Sequence, residues 1–168
     1  MYYCHLLELY YKYKNITKVL EPSCGSCEYI LRLNNINPNF NITGIELNKT
    51  IFESIKHYNS DNITLLNENY LNHDFNTKFD LIIGNPPYQI NNGGGKGASA
   101  DPIYDKFMEK AIEMDAKYIS MITPSRWFSG NKPEFIKFRK YIKNSKINFS
   151  KIYDYKNSKE CFSNVVID

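Results

Sequence analysis

Cysteine is too scarce and too scattered in this chain to build a metal centre. Cys4, Cys24, Cys27 and Cys161 are the only four. Cys24-Gly25-Ser26-Cys27 has C-x-x-C spacing, but no second pair follows to complete a tetrahedral zinc site. Thioredoxin-type redox motifs share that spacing, yet two reduced thiols packed in a tight turn is the favoured expectation. Long apolar runs are missing too. No stretch approaches the roughly 18 residues of a membrane span, and no signal-peptide apolar region opens the chain. A cytoplasmic protein with no metal and no membrane partner is expected. No internal repeat is visible.

What remains fits one domain. The 168 residues are 42% hydrophobic and 23% charged, enough for one substantial core in a soluble globular chain. The 14 tyrosines, with abundant Asn and Lys, read as the codon bias of an AT-rich genome, so aromatic content alone argues little for base stacking. Charge is uneven. Residues 1–100 hold 8 basic against 9 acidic side chains, while residues 132–159 hold 9 basic against only Glu134 and Asp154. Such a run is either a solvated helix face or a phosphate-tracking surface, with Lys132, Lys137, Arg139 and Lys140 as its candidate contacts.

Periodicity predicts alternating elements. Tyr2–Lys14 reads as a short helix and Thr17–Glu21 as a strand, ended by Pro22 and the turn Ser23–Ser26. A helix carries Tyr29, Ile30 and Leu33 and closes near Asn34-Asn35. Asn41–Leu47 is a second strand, Lys49–Tyr58 a helix, Asn62–Asn67 a third strand and Lys78–Gly84 a fourth. After the glycine-rich stretch Gly93–Ala100, a helix is expected over Pro102–Met114, with Asp101 as N-cap and Pro102 in its first turn. Ala116–Thr123 is a fifth strand, Pro133–Ile142 a helix and Ile147–Tyr155 a sixth strand. Cys161–Asp168 begins a further strand and stops. The pattern implies an α/β fold, a doubly wound, mostly parallel sheet with helices on both faces, truncated at its last strands.

Ligands of such sheets sit beyond the carboxyl ends of the strands, where two unusual turns fall. The first is "LEPSCGSC". Its single glycine, Gly25, lets a ligand approach backbone amides beside a helix N-terminus. About 25 residues after Glu21, Glu46 closes the second strand, well placed to accept both hydroxyls of a ribose. Dehydrogenases share that pair, but a dinucleotide pyrophosphate wants a G-x-G-x-x-G turn. A phosphate-free adenosine ligand such as S-adenosylmethionine wants less glycine.

The second turn is "NPPY". Pro87 restricts Pro86 to extended conformations, and two prolines remove two backbone donors. Asn85 offers a side-chain acceptor, Pro86 a carbonyl, and Tyr88 an aromatic face. Together they suit a planar –NH2 on a flat ring system, whose nitrogen becomes a better nucleophile as the acceptors draw on its hydrogens. Positioning and electrostatics then supply the catalysis, with no strong base needed before attack.

"EPSCG", "GIEL" and "NPPY", in this order, resemble the motifs of S-adenosylmethionine-dependent amino-group methyltransferases. "DPIYDKFMEKAIE", "YISMITPSRWFSG", "FRKYI" and "IYDYKNSKECFSNVVID" resemble a narrower group, the adenine-specific DNA methyltransferases of restriction–modification systems. The likeness runs from about Thr17 to Asp168. It implies a Rossmann-like methyltransferase fold and transfer of a methyl group to N6 of an adenine flipped out of double-stranded DNA. Glu21, Pro22, Ser23, Cys24 and Gly25 would then hold the methionine part of the cofactor, Glu46 and Leu47 the ribose side, and Asn69 the cofactor's adenine, in preference to Asp74. Asn85, Pro86, Pro87 and Tyr88 would be catalytic, with Asn85 also facing the cofactor. Trp127 and Phe128 either line the pocket or pack, and packing is expected of Phe128. Cys27 departs from the family by standing at a small, often glycine, position. On this reading residues 1–168 are the catalytic domain, residues 1–16 keep part of a cofactor-binding segment, the target-recognition domain is absent, and a recognition domain or subunit is an expected partner.

N-P-P-Y also occurs in methyltransferases acting on release-factor glutamine and on RNA bases. A non-catalytic remnant is the alternative from a different class.

Overall fold

The computed structural model describes residues 15–90, 101–145, 147–149 and 152–153. Their elements are β1 (Lys18–Glu21), α1 (Glu28–Ile36), β2 (Asn41–Ile45), α2 (Lys49–Ile55, extended by a 3-10 turn, Lys56–Tyr58) and β3 (Ile63–Leu66). There follow β4 (Leu81–Gly84), β5 (Gln89–Ile90), β6 (Asp101–Pro102), α3 (Tyr104–Glu113), β7 (Tyr118–Met121), α4 (Arg126–Ser129) and α5 (Pro133–Asn144).

Five strands form one sheet in the order β3-β2-β1-β4-β7, and every pairing in it is parallel. Side chains alternate across a strand, and here both faces are buried, as a parallel sheet requires. Val19, Ile42, Ile63, Leu81 and Ile83 join Ile30 and Leu33 of α1 and Ile55 of α2 in one core. Leu20, Ile45 and Ile82 face the other way and meet Phe107 and Ala111 of α3. The register sets one apolar row straight across the sheet, Ile63–Ile42–Val19–Leu81–Tyr118. A third cluster, Tyr104, Trp127, Phe135 and Phe138, holds α4 and α5 against the start of α3.

The doubly wound parallel sheet is as the sequence predicts, with strands one to three residues shorter at their ends. Two expectations fail. Asp101 and Pro102 do not open α3. They pair antiparallel with Ile90 and Gln89, and the helix starts at Tyr104 behind an uncapped Ile103. An extended proline on a two-stranded ribbon costs little because it need donate no ladder bond. Of the expected sixth strand, Ile147–Tyr155, residues 147–149 and 152–153 have no regular structure, and the others lie outside the described residues. The short helix α4, in "TPSRWF", was not foreseen. The expected helix Tyr2–Lys14, the glycine-rich stretch and Cys161–Asp168 lie outside the described residues.

Candidate functional site

The chain winds from β1 outward through β2 to β3, then returns to place β4 on the opposite side of β1. The turns after β1 and β4 therefore flank the point where winding reverses, the crevice in which open α/β sheets bind ligands.

After β1 the backbone makes a sharp turn, with Gly25 at φ +49° and Cys27 at φ +63°. Two bonds from the β2 end hold it, and a third orients the glutamate that makes one of them. Cys24 N–H donates to Ile45 O at 2.8 Å, Gly25 N–H donates to Glu46 Oε2 at 3.0 Å, and Asn48 N–H donates to Glu46 Oε1 at 2.7 Å. Glu46 thus organises the turn, and its carboxylate oxygens keep further lone pairs for hydroxyl donors. Asn48 caps α2 by accepting from Thr50 and Ile51 N–H. Leu47, 67% exposed, presents an open apolar side chain beside Glu46.

Cys24 and Cys27 are free thiols and both are buried. Cys27 packs into the core under α1, so its side chain is directed away from the turn's open side. Its left-handed backbone explains why a glycine would be the easier choice there. A hydrogen bond between the two thiols, together with burial, pushes Cys24 far above the ordinary thiol range.

Glu21 is buried, and its Oε2 has no hydrogen-bond partner among the described residues. Burial, reinforced by the negative potential of Cys27, Glu28 and Glu46, pushes its carboxyl well above the usual range, offset only in part by a backbone bond from Ile30. An orphaned buried acid at the mouth of a ligand crevice is costly, and a cationic or donor group from a ligand would relieve it.

Past β4, the second turn sits against the first. A Cβ on Gly84 would come 3.3 Å from Pro22 Cδ, and Ser23 Oγ donates to Asn85 O at 3.3 Å. Asn85 Oδ1 is buried with no partner among the described residues. Pro86 is buried, Pro87 exposed and Tyr88 half-buried. Ile103 N–H donates to Tyr88 O at 3.4 Å, so the β5–β6 ribbon fixes the exit from the turn.

Asn69 lies just beyond β3, where its Oδ1 accepts from Leu71 N–H at 3.0 Å; the second lone pair of that oxygen is still available to a ligand. Asp74 instead lines a cleft of about 730 Å³ between residues 71–78 and α3, which none of the predicted site residues joins. Sequence reasoning missed Asn67, whose amide donates to Glu46 O at 2.8 Å and Leu47 O at 3.2 Å. Its signal was its place at the end of the third strand.

Trp127 is buried, whereas Phe128 is 45% exposed, against the expectation that Phe128 packs. Lys132, Lys137 and Lys140 lie exposed on or beside α5. Arg139 differs from them: its Nη1 donates to Trp127 O at 2.7 Å and Gly130 O at 2.8 Å, holding α4 and the turn after it. Among the described residues no cluster of His, Cys, Asp or Glu could hold a metal, and no helix is long and apolar enough to cross a membrane.

A parallel sheet with its crevice between an acidic, single-glycine turn and an N-P-P-Y turn defines a methyltransferase-like α/β domain. The chain belongs to the Eco57I restriction-modification methylase family, whose model matches residues 6–162. It is 41% identical over 108 residues to an uncharacterized adenine-specific methylase of Mycoplasma pneumoniae, covering 63% of this chain and 24% of that protein. It is 32% identical over 133 residues to modification methylase CviBIII of Paramecium bursaria Chlorella virus NC1A, covering 74% of this chain and 34% of that one. The chain therefore spans about a quarter to a third of these relatives. In fold it resembles the O-methyltransferase of a trans-AT PKS multienzyme of Brevibacillus brevis, solved with S-adenosyl-L-homocysteine (TM-score 0.51, 16% identity, covering 72% of this chain and 40% of that one). It also resembles a Haemophilus influenzae protein described as a methylase (TM-score 0.50, 17% identity, covering 74% and 72%).

Proposed function

We propose that this chain is the catalytic domain of a cytoplasmic, adenine-specific DNA methyltransferase of a restriction–modification system. It would use S-adenosylmethionine to methylate N6 of an adenine flipped out of double-stranded DNA. The observation that carries this reading is Asn85 Oδ1, a buried acceptor with no partner among the described residues, on a proline-stiffened turn. A buried acceptor is costly unless something fills it, and an exocyclic amino group supplies the missing hydrogens.

The cofactor supplies a methyl group on a positively charged sulfur. Glu21, with its orphaned oxygen, suits the methionine ammonium group, Glu46 the ribose hydroxyls, Leu47 an apolar ring face, and Asn69 a hydrogen-bond donor on the adenine. On the substrate side, Asn85 Oδ1 and the Pro86 carbonyl would accept the two amine hydrogens while Tyr88 stacks on the base. Polarised in this way, the nitrogen lone pair would be kept free to take up the methyl group, and the proton lost from the amine would pass from these acceptors to water. Lys132, Lys137 and Lys140 would bear on backbone phosphates, while Arg139 acts mainly through α4. Sequence recognition would fall to a domain or subunit beyond these residues.

The test is transfer of labelled methyl groups from S-adenosylmethionine to double-stranded DNA, beside isothermal titration of the cofactor. Asn85→Ala should cut transfer by about 100-fold or more, by analogy with loss of one oriented polar group at a reacting centre, with cofactor affinity nearly unchanged. Glu46→Ala should weaken the cofactor itself. Normal transfer by Asn85→Ala would refute the mechanism, and label appearing on RNA or on a protein glutamine instead of DNA would replace the substrate.

A further inference from the structure

Three aromatic rings gather at the end of the sheet that carries the catalytic turn. The Trp127 and Phe128 rings stack with centroids 3.8 Å apart and planes 24° apart, and Phe149 lies 6.4 Å from Trp127, also at 24°. The indole is buried, but Phe128 is 45% and Phe149 49% exposed. The indole is firmly held: Nε1 donates to Thr123 Oγ1 at 3.3 Å, Phe138 meets it edge-on at 5.4 Å, and Arg139 donates to the main-chain oxygen of Trp127. A guanidinium spent on fixing this short helix is an expensive support for two phenylalanines left facing water.

Their position gives them a use. β7 pairs with β4 and Ile122 N–H donates to Gly84 O at 3.0 Å, so the segment leading into α4 emerges directly beside Asn85. The helix α5, which packs against Trp127 of α4 through Phe135 and Phe138, exposes Lys137, Lys140 and Lys143. Aromatic faces set in a positively charged surface are what unpaired nucleic-acid bases bind: the cations track phosphates and the rings stack on bases of any sequence.

We propose that Phe128 and Phe149 form a stacking platform for unpaired DNA bases next to the catalytic turn, distinct from Tyr88. The proposal rests on the DNA reading above. Taking one adenine out of a duplex leaves its neighbours and its former partner unstacked, and the platform gives such bases a surface to occupy.

Oligo(dT) of about 12 nucleotides is the probe, because thymine has no exocyclic amine for Asn85. Trp127 is the only tryptophan in the chain, so its fluorescence reports on this site alone, while anisotropy of an end-labelled strand gives affinity. Oligo(dT) should bind with quenching of Trp127. Phe128→Ala and Phe149→Ala should each weaken binding by about fivefold or more, the range for losing one base–aromatic stack. Phe128→Tyr should keep the affinity and Phe128→Leu should lose it, since leucine has apolar bulk but no ring face. Ile136→Ala, which removes another exposed apolar side chain of α5, should change nothing.

Affinity retained by Phe128→Leu would overturn stacking in favour of a plain apolar docking face. Affinity unchanged in Phe128→Ala but lost in Lys137→Ala would overturn the platform and leave DNA binding intact. A change in sedimentation with oligonucleotide affinity unaltered would make the patch a contact between copies of the chain. Failure to bind single- or double-stranded DNA at all would overturn the DNA reading together with the platform.

Discussion

Ser23 Oγ donates to the main-chain oxygen of Asn85 at 3.3 Å, joining the turn after β1 to the turn after β4 across the sheet's reversal point. Parallel pairing of the two strands, with Leu20 opposite Ile82, sets the turns side by side. The hydroxyl adds a direct tie between the turn proposed for the cofactor and the main chain that aims Asn85. Ser23 is on this account a positioning residue. Ser23→Ala should lower kcat about five- to tenfold, the worth of about 1 kcal/mol of hydrogen bond, with little change in KM for DNA, and Ser23→Thr should restore most of it. Equal falls in folding stability and kcat, unrelieved by threonine, would mark a purely structural contact.

Glu21 should make both stability and cofactor affinity depend on pH. Burial raises its folded-state pKa above that of the unfolded chain. An acid shifted upward favours folding below the unfolded pKa of about 4.3, and that contribution is lost as pH rises toward the folded value. Glu21→Gln, uncharged at every pH, should flatten the fall in melting temperature as pH rises above about 4.3, the unfolded value. If the carboxylate meets the cofactor's ammonium group, binding to the unmodified chain releases protons, detectable by titration in buffers of different ionisation enthalpy. Glu21→Gln should abolish the release and weaken binding about tenfold or more.

Asp80 should act in the opposite sense. Its Oδ2 accepts from Thr17 N–H, Thr17 Oγ1 and Lys18 N–H, each at 2.9 Å, tying the start of β1 to the start of β4. Partial burial pulls its pKa up, but the bonds from Lys18 and Thr17 outweigh burial and hold it below the usual range. A depressed acid stabilises the fold above the unfolded pKa of about 3.9 and loses that contribution as pH falls through the lower folded value. Asp80→Asn should cost about 1–3 kcal/mol at pH 7, and the gap from the unmodified chain should narrow below about pH 4. Urea unfolding at the two pH values measures it.

Gly44 is the position where the sheet admits no side chain. A Cβ there would lie 2.8 Å from Leu65 Cδ2 and 3.2 Å from Cys24 Sγ, and would overlap Ile30 Cδ1. Gly44→Ala should cost about 1–3 kcal/mol through overpacking and disturb the turn at Cys24. Lower thermal stability together with weaker cofactor binding is expected. A variant as stable as the parent would show that α1 can shift away from the sheet freely.

Much of this was legible beforehand because it is local. Alternating strand and helix patterns, the stiffness of Pro86-Pro87 and the single glycine at Gly25 act within a few residues of themselves. The misreadings share one cause. Asp101-Pro102 has the chemistry of a helix start, but Gln89 and Ile90 lay within pairing reach and drew it into a ribbon. Phe128 reads as core because phenylalanine usually is, yet its neighbour Trp127 took the buried place.

By itself the sequence determined which strands are buried on both faces, where each turn falls, and which acceptors an N-P-P-Y turn can offer. Those follow from side-chain periodicity and from backbone torsions that proline and glycine restrict or permit. Only the tertiary structure decided that Glu46 holds the Gly25 turn, that Arg139 supports α4 instead of facing outward with the lysines, and that Glu21 Oε2 and Asn85 Oδ1 have no partner among the described residues. Each of these depends on which distant residue the sheet order brings within hydrogen-bond reach, and no spacing along the chain encodes that distance.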